Sequence, residues 1–300
     1  MKKFCVSLAL AAISLIGYAQ VVNVASVKKV ILPQGTAVDK AVVSPAGNYV
    51  VVSDLNARGL KKIDLTTGKS TVLSKTASNY DVRISADGSQ VMFREYSVDQ
   101  DRLRWATLKT VNTSTLKEQT LVAKSRDIQG TAFNGNTAAI VNKGKFTKKP
   151  LGAKADAPAP VASIDHGALK LTVNGVTRNL SPQGTAGQSY IWPSVSPNGK
   201  QVLYYLVGEG CFVCDLNGKN VKRLGALSAP RWIDDSTIVG MRDEDNGVYI
   251  TRSVVIAKNI ENLREQQISS SSIIALYPSA SKKNIVFSTD KGELYLVTLK

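Results

Sequence analysis

The stretch SVSPNGKQVLYYL, from Ser194 to Leu206, places a turn of Ser, Pro, Asn and Gly directly before a run of alternating apolar residues. It recurs as VVSPAGNYVVVS from Val42 and as RISADGSQVMF from Arg83. In each copy, β-branched or aromatic residues follow the turn glycine within a few positions, which is typical of a strand that leaves a tight turn. The chain is therefore built from a repeated unit that contains a turn and a strand.

The first clear copy of the unit contains four segments of strand length, separated by short turns such as TTGK. The segments are residues 40–43, 49–53, 60–65 and 70–74. The second copy follows about 40 residues later, a period that is typical of a four-stranded propeller blade. We count six such units and predict an all-β fold, a six-bladed β-propeller of four-stranded blades.

The third copy is interrupted between its second and third strands by residues 143–167, which are rich in Lys, Pro and Ala. This composition is too poor in large apolar residues to pack well, so we predict a loop insertion. With that insertion, residues 20–300 are expected to form a single propeller domain.

The chain ends one strand short of a complete sixth unit, because LVTL at 296–299 aligns with KIDL at 62–65, the third strand of its unit. The segment SVKKVIL, from Ser26 to Leu32, precedes the first unit by one strand and ends at Pro33. We therefore predict that this N-terminal strand pairs with the last blade and closes the ring. Closure of this kind removes exposed sheet edges.

The first twenty residues have the pattern of a secretory leader. MKKFCVSLALAAISLIGYAQ has a basic start, an apolar run, and small residues at Gly17 and Ala19. This predicts a signal peptide over residues 1–19, with cleavage near Ala19. The apolar run is shorter than the roughly 20 residues of a spanning helix. We expect a periplasmic or secreted monomer that does not span the membrane.

Two cysteines remain after cleavage, Cys211 and Cys214 in GCFVCDL. Residues three apart on a strand point to opposite faces, which separates the two sulfurs. The chain has a single His, His166, so a four-ligand zinc site lacks donors. We interpret both cysteines as small buried core residues, with a local disulfide as the alternative.

The chain is strongly basic, with 38 Lys and Arg against 23 Asp and Glu and a net charge of +15. In the cytoplasm this balance would suggest nucleic acid as the partner. Export argues against nucleic acid, so we expect an anionic envelope component or an acidic partner protein. Simple solubility is the alternative explanation of the charge.

Units built on SPNGKQVLYY, SPAGNYVVVS and SADGSQVMFR, behind a signal peptide, resemble the TolB-like propellers, whose repeat reads S-P-D-G-K before an apolar strand. The resemblance covers residues 26–300, and we expect no counterpart of the α/β domain that precedes the propeller in TolB itself. The resemblance implies an exported scaffold that binds partners through one face of the ring, without catalysis.

The motifs of common hydrolases are missing from the sequence. It contains neither the G-x-S-x-G elbow of serine hydrolases nor the S-x-D-x-G-x-T-W box of sialidases. The acidic cluster DEDNG at 243–247 has oxygens that suit calcium but lacks the distal Glu of a hand-type loop, which favours a solvated connector. We expect no enzyme, no cofactor and no metal, while paired carboxylates for glycoside hydrolysis stay open.

Function in a propeller usually resides in the loops that leave one face of the ring. The connections between the second and third strands of the units provide such a face, and we predict that it binds an envelope protein or an anionic envelope component. The alternative is a small-ligand or glycan-binding propeller, or an undetected hydrolase or lyase that uses the channel mouth. The predicted binding residues are Lys143, Lys145, Lys148, Lys149, Asp54, Arg58, Asp99, Asp101, Asp243 and Asp245.

Overall fold

The computed structural model describes residues 20–55, 58–78, 80–152 and 159–300. The predicted signal peptide, residues 1–19, and residues 153–158 of the predicted insertion lie outside the described part. All the regular secondary structure in the described part is β-strand, in agreement with the predicted all-β class.

The described strands form seven antiparallel groups, which we call sheets 1 to 7; the first two are joined at their edges by a single bridge between Ala77 and Glu95. Sheet 1 contains β2 (Val38–Val43), β3 (Tyr49–Asp54), β4 (Arg58–Asp64) and β5 (Ser70–Ser78). Sheet 2 contains β6 (Arg83–Ile84), β7 (Gln90–Val98), β8 (Arg104–Asn112) and β9 (Glu118–Ser125). Sheet 3 contains β10 (Ile128–Asn134), β11 (Thr137–Asn142) and β12 (Lys145–Pro150). Sheet 4 contains β13 (Val161–Asp165), β14 (Ala168–Val173) and β15 (Val176–Asn179).

The three remaining sheets have four strands each. Sheet 5 contains β16 (Tyr190–Val195), β17 (Gln201–Leu206), β18 (Gly210–Asp215) and β19 (Lys222–Gly225). Sheet 6 contains β20 (Ser228–Trp232), β21 (Thr237–Asp245), β22 (Ile250–Asn259) and β23 (Glu265–Gln267). Sheet 7 contains β24 (Ala275–Ala280), β25 (Asn284–Thr289), β26 (Leu294–Leu299) and the N-terminal strand β1 (Val24–Lys29).

The prediction of six four-stranded blades is corrected by this arrangement, because the segment read as the third unit divides into sheets 3 and 4. Much of the predicted loop insertion is strand: its lysine-rich part forms β12, where Thr137 lies opposite Pro150, and its end forms β13. β12 is a largely exposed edge strand. Its backbone groups are satisfied by β11, so it needs few apolar side chains, and lysine is common on such edges.

A separate apolar cluster fills each space between neighbouring sheets. Met92 and Leu108 of sheet 2, for example, pack with Ile140 of sheet 3. The same kind of cluster joins the last sheet to the first, where Val286 of sheet 7 packs with Val50 of sheet 1. Each sheet therefore packs on the next one along the chain, and the seventh packs on the first. Burial on both faces explains why strands such as β3 are apolar without alternation.

The N-terminal strand β1 lies at the outer edge of sheet 7. It pairs antiparallel with β26, and Val27 lies opposite Val297. The pairing continues past the strand, since the backbone N–H of Val30 donates to the carbonyl of Leu294 at 2.8 Å. At the surface, Lys29 Nζ and Glu293 Oε1 form an ion pair of 2.7 Å. The first and last strands of the described chain are thus joined by backbone hydrogen bonds.

The recurring turn has the same geometry in its three clear copies. The turn glycines Gly47, Gly88 and Gly199 have φ angles of 73°, 74° and 72°, and each donates its N–H to the carbonyl of the repeat serine at 2.9 Å. The serine side chain also accepts a backbone N–H at the start of the next strand, for example that of Gln201 on Ser196 at 3.0 Å. Only glycine adopts this positive φ without strain, so the motif fixes the turn.

The positions of the two cysteines confirm their interpretation as small buried core residues. Both are buried and free, and they lie on opposite faces of β18. Cys211 packs in the cluster between sheets 5 and 6, and Cys214 packs in the cluster between sheets 4 and 5. Burial raises the pKa of each thiol to about 12.

Candidate functional site

The turns between the first and second strands of several sheets lie together at one end of the structure, which we call the turn face. Asn284 of sheet 7 donates to the carbonyl of Gly47 in sheet 1 at 2.9 Å. Asn136 of sheet 3 donates to Asp87 of sheet 2 at 2.7 Å, and the N–H of Asn198 donates to Asp235 across sheets 5 and 6. The connections between second and third strands leave the opposite ends of these sheets. We call that opposite end the loop face.

Exposed apolar side chains are present on several connections of the loop face. Tyr249 is 66% exposed and Val248 is 83% exposed, both at the tip of the β21–β22 hairpin. Leu55, Val98 and Val207, at the corresponding connections of sheets 1, 2 and 5, are each more than half exposed. Isolated apolar residues on a surface are ordinary, but several on one face are characteristic of an interaction surface.

The predicted acidic residues of sheets 1 and 2 shape their own loops. Asp54, the last residue of β3, lies 3.8 Å from Lys61 Nζ and accepts the N–H of Leu55. Arg58 begins β4. Asp99 accepts the indole N–H of Trp105 at 2.6 Å, and this bond is the main reason that its pKa is lowered. Asp101 lies exposed in the same turn.

Asp243 and Asp245 lie on the long β21–β22 hairpin of sheet 6, at the loop face. Asp245 accepts the N–H of Gly247 at 2.8 Å and so stabilises the hairpin turn. Burial raises the pKa of Tyr277, on the first strand of sheet 7, and the negative charges of Asp39 and Asp243 add to the effect. Asp243 therefore faces the first strand of the next sheet, whereas Asp245 belongs to the tip.

The four predicted lysines do not gather at one place, which corrects the expectation of a single basic loop. Lys143 lies in the β11–β12 turn, and Lys145 begins β12 at the loop face. Lys148 and Lys149 pair with Ala139 and Ala138, toward the other end of the sheet. The reason is the extended strand, which advances about 3.3 Å per residue. Lys149 also donates to the carbonyl of Leu121 in sheet 2, so it is held by the neighbouring sheet.

A charged cluster that sequence reasoning missed surrounds Asp81, just before the first strand of sheet 2. Its carboxylate accepts from Arg83 Nε at 2.8 Å, Arg94 Nη2 at 3.1 Å and Thr131 Oγ1 at 2.8 Å. Burial acts to raise the pKa of Asp81, but the charges of Arg83 and Arg94 and the bond from Thr131 hold it below its ordinary value. The three donors come from sheets 2 and 3, so no sequence motif connects them.

Arg231, on the first strand of sheet 6, faces the same cluster. The pKa of Arg231 is lowered to about 10, mainly by desolvation and also by the positive charge of Arg83, while the negative charge of Asp81 opposes the shift. The side chain is nevertheless exposed to solvent. Arg83 and Arg231 belong to the first strands of sheets 2 and 6, respectively.

A cavity of about 270 Å³ opens between sheets 2 and 3 at the loop-face ends of β7, β8 and β9. Its lining contains three arginines and two aromatic residues, and no carboxylate. The lining residues are Arg94, Tyr96, Arg104, Trp105, Ala106, Ser125, Arg126 and Ile128. The register that places Tyr96 opposite Ala106, and Ala106 opposite Ser125, brings these residues together from distant parts of the sequence.

The described residues contain neither a candidate metal centre nor a helix that could span a membrane. Among the described residues, three or more His, Cys, Asp or Glu side chains do not come together in an arrangement that could hold a metal ion. Within the same residues, we find no helix with the length and hydrophobicity needed to cross a bilayer.

Comparison with solved structures gives the fold. The β-propeller domain of the Trilobed protease from Pyrococcus furiosus matches with a TM-score of 0.58 and 11% identity, over 89% of this chain and 94% of that chain. Virginiamycin B lyase from Staphylococcus aureus matches with a TM-score of 0.58 and 14% identity, over 92% and 99% of the two chains. This chain has a β-propeller fold. A streptogramin B lyase structure is similar as well, with a TM-score of 0.55, 10% identity and coverage of 92% and 98%.

At the level of sequence, the propeller matches no family model and no curated protein. The structural likeness, at 10 to 14% identity, therefore shows the fold alone.

The expectation that the chain is not an enzyme is corrected by these similar structures. Two of them are lyases, so a propeller of this kind does host catalysis. The missing hydrolase motifs exclude only the reactions that need those motifs. A shared fold does not by itself establish an activity, because activity depends on the site and not on the scaffold.

Proposed function

We propose that the chain is an exported propeller of the TolB-like type, periplasmic or secreted, whose loop face binds a protein partner of the cell envelope. The observation that carries the proposal is the set of exposed apolar side chains on the loop-face connections of sheets 1, 2, 5 and 6. Protein interfaces combine such apolar side chains with a polar rim. The loop-face acids Asp54, Asp99 and Asp243 and the basic residues Lys143 and Lys145 would provide that rim.

The β21–β22 hairpin is the best single anchor for a partner. It extends sheet 6, and its tip presents Val248 and Tyr249. The hairpin is held in shape by an ion pair between Glu244 and Arg252 at 3.1 Å and by the bond from Gly247 to Asp245. A pre-shaped hairpin loses little conformational entropy on binding, and tyrosine is among the residues enriched at binding hot spots.

In this proposal the N-terminal strand has a structural role. Pairing of β1 with β26 closes the ring of sheets, and the closed ring holds the loop-face connections in fixed relative positions. The TolB-like assignment rests on the repeated turns, SPAG at 44–47, SADG at 85–88 and SPNG at 196–199, since the seven sheets differ from the six blades that the resemblance implies.

The test is crosslinking of the mature protein in cell envelopes, with the products identified by mass spectrometry. We expect one dominant envelope protein to be captured, with crosslinks near Tyr249. The double variant Val248→Ser and Tyr249→Ser should lose that product. The control Val221→Ser changes an exposed apolar residue of sheet 5 beyond its third strand, away from the loop face, and should retain it. Equal capture by all three proteins, or no capture above background, contradicts the proposal.

A further inference from the structure

We propose that the cavity between sheets 2 and 3 is a binding site for a small organic anion, one that carries a carboxylate or phosphate group beside a planar apolar part. This site is separate from the partner-binding hairpin, and the argument for it does not depend on the proposed partner.

Two of the three positive charges that line the cavity have no counter-charge among the described residues, since only Arg94 is paired, with Asp81. Arg94, Arg104 and Arg126 line it without a carboxylate. In the described part of the chain, neither Arg104 nor Arg126 forms an ion pair, and both residues are exposed. Arginine presents its N–H donors in a planar fork that matches carboxylate and phosphate oxygens. Arginines concentrated around a concave surface are an arrangement that recognises an anion.

Contact with the Tyr96 ring holds the guanidinium of Arg104 in a position where its N–H donors can bind an anion. Its guanidinium carbon lies 3.7 Å from the centre of the Tyr96 ring, and both residues line the cavity. Stacking on an aromatic face restrains the guanidinium while its N–H groups stay available at the edge of the plane. The side chain therefore loses less freedom on binding an anion than an unsupported surface arginine would.

Arg94 also lines the cavity, but its donors are either bonded to protein atoms or buried. Nη1 donates to the carbonyl of Ile128 at 2.8 Å and Nη2 donates to Asp81 at 3.1 Å. Nε is buried and has no hydrogen-bond partner among the described residues, and Arg94 as a whole is only 6% exposed. Arg94 therefore adds positive charge to the cavity wall but no accessible donor, which leaves Arg104 and Arg126 as the residues that would bind the anion.

The aromatic walls define the rest of the ligand. Trp105 is fixed by its bond to Asp99, and Lys124 Nζ lies 4.9 Å from the centre of its ring. With Tyr96 it gives the cavity planar apolar surface next to the arginines. A volume of about 270 Å³ is just below the range of roughly 300 to 1,000 Å³ for drug-sized ligands. The site therefore suits a small molecule and not a polymer segment of several units.

The proposal is tested by calorimetric titration of the purified mature protein with phenyl phosphate, benzoate, inorganic phosphate and the neutral benzyl alcohol. Phenyl phosphate and benzoate should bind, inorganic phosphate should bind more weakly than phenyl phosphate, and benzyl alcohol should not bind. Added salt should weaken binding. Arg104→Gln and Arg126→Gln should each weaken it by about tenfold or more, because each removes a charge-assisted hydrogen bond.

The control variant is Arg264→Gln, which removes an exposed arginine from the β22–β23 connection and should bind as the parent protein does. A change in tryptophan fluorescence on binding should disappear in Trp105→Phe. Because Arg104 and Arg126 are exposed, their substitution should leave the fold intact, and unchanged thermal melting checks this. Failure of both organic anions to bind at millimolar concentration, or binding that Arg104→Gln and Arg126→Gln leave unchanged, overturns the proposal. The partner-capture experiment would be unaffected by either result.

Discussion

The guanidinium of Arg94 and the carboxylate of Asp81 lie 3.1 Å apart, and this ion pair connects the two charged features of the loop-face half of the propeller. Arg94 lines the cavity between sheets 2 and 3, while Asp81 belongs to the charged cluster that also acts on the pKa of Arg231 in sheet 6. Neither side chain is more than 13% exposed, so the pair is removed from water. A change at Asp81 should therefore affect both stability and the anion site.

Removal of the Asp81 charge should destabilise the protein. Asp81→Asn leaves the buried Arg94 without its counter-charge, and breaking a buried pair in this way costs about 3 kcal/mol or more. The measurement is the free energy of unfolding in urea at neutral pH. Asp101→Asn, which changes an exposed carboxylate of sheet 2, should stay within about 0.5 kcal/mol of the parent protein.

The lowered pKa of Asp81 predicts that the free energy of unfolding depends on pH. The pKa of Asp81 in the folded protein lies below its ordinary value of 3.8. Its stabilising contribution is therefore complete above that ordinary value and is lost as the pH falls through the folded-state pKa. We expect the unfolding free energy of the parent protein to fall more steeply in strong acid than that of Asp81→Asn. Parallel curves for the two proteins would contradict the role given to Asp81.

Substitution of the turn glycine of sheet 1 should test the contact between the first and last sheets. Gly47 has a φ of 73°, and a Cβ there would collide with Asn284 Nδ2 of sheet 7, which donates to the Gly47 carbonyl. Gly68 has a φ of 71°, and a Cβ there would have no neighbouring atom within 4 Å. In both variants alanine must adopt the left-handed backbone conformation of the glycine, which costs about 1 kcal/mol of folding free energy. Gly47→Ala should lose about 1 to 2 kcal/mol more in chemical denaturation, and equal losses would argue against this contact.

Loss of the N-terminal strand should expose the outer edge of β26. Deletion of residues 20–33 removes β1 and its backbone bonds to sheet 7, and an unpaired edge strand promotes association. We expect a lower melting temperature and oligomers in size-exclusion chromatography with light scattering. Lys29→Gln removes only the exposed ion pair with Glu293 and should remain monomeric and stable. A deletion variant that is monomeric and melts unchanged would exclude ring closure by β1.

The cysteines should be unreactive in the native protein. Cys211 and Cys214 are buried, and burial raises the pKa of each thiol to about 12, so the reactive thiolate is scarce near neutral pH. A thiol reagent should modify neither residue until denaturant is added, and then it should modify both. Mass spectrometry of the mature protein, without residues 1–19 and therefore without Cys5, should detect two free thiols when no reductant is added. Rapid modification of the native protein, or a mass lower by the two hydrogen atoms lost on forming a disulfide, would contradict the packing of β18.

The sequence determined the local structure of this protein. The serine and glycine of the repeated turn specify a conformation that depends on neighbours within six residues, and the turn forms identically at Gly47, Gly88 and Gly199. The three-residue spacing of Cys211 and Cys214 likewise decides that they point to opposite faces of a strand, whatever the strand packs against. The all-β class and the buried, apolar strands follow from the same short-range patterns.

The tertiary structure decided the number of sheets and the content of the site. The polar segment that begins at Lys145 became a strand because β11 offers it backbone partners, and a partner of this kind is not visible in the composition of the segment itself. The cavity and the Asp81 cluster join side chains from two sheets, among them Arg94 and Thr131, which are neighbours only after the sheets pack. Long-range register and packing bring these charges together, and no local pattern encodes either one.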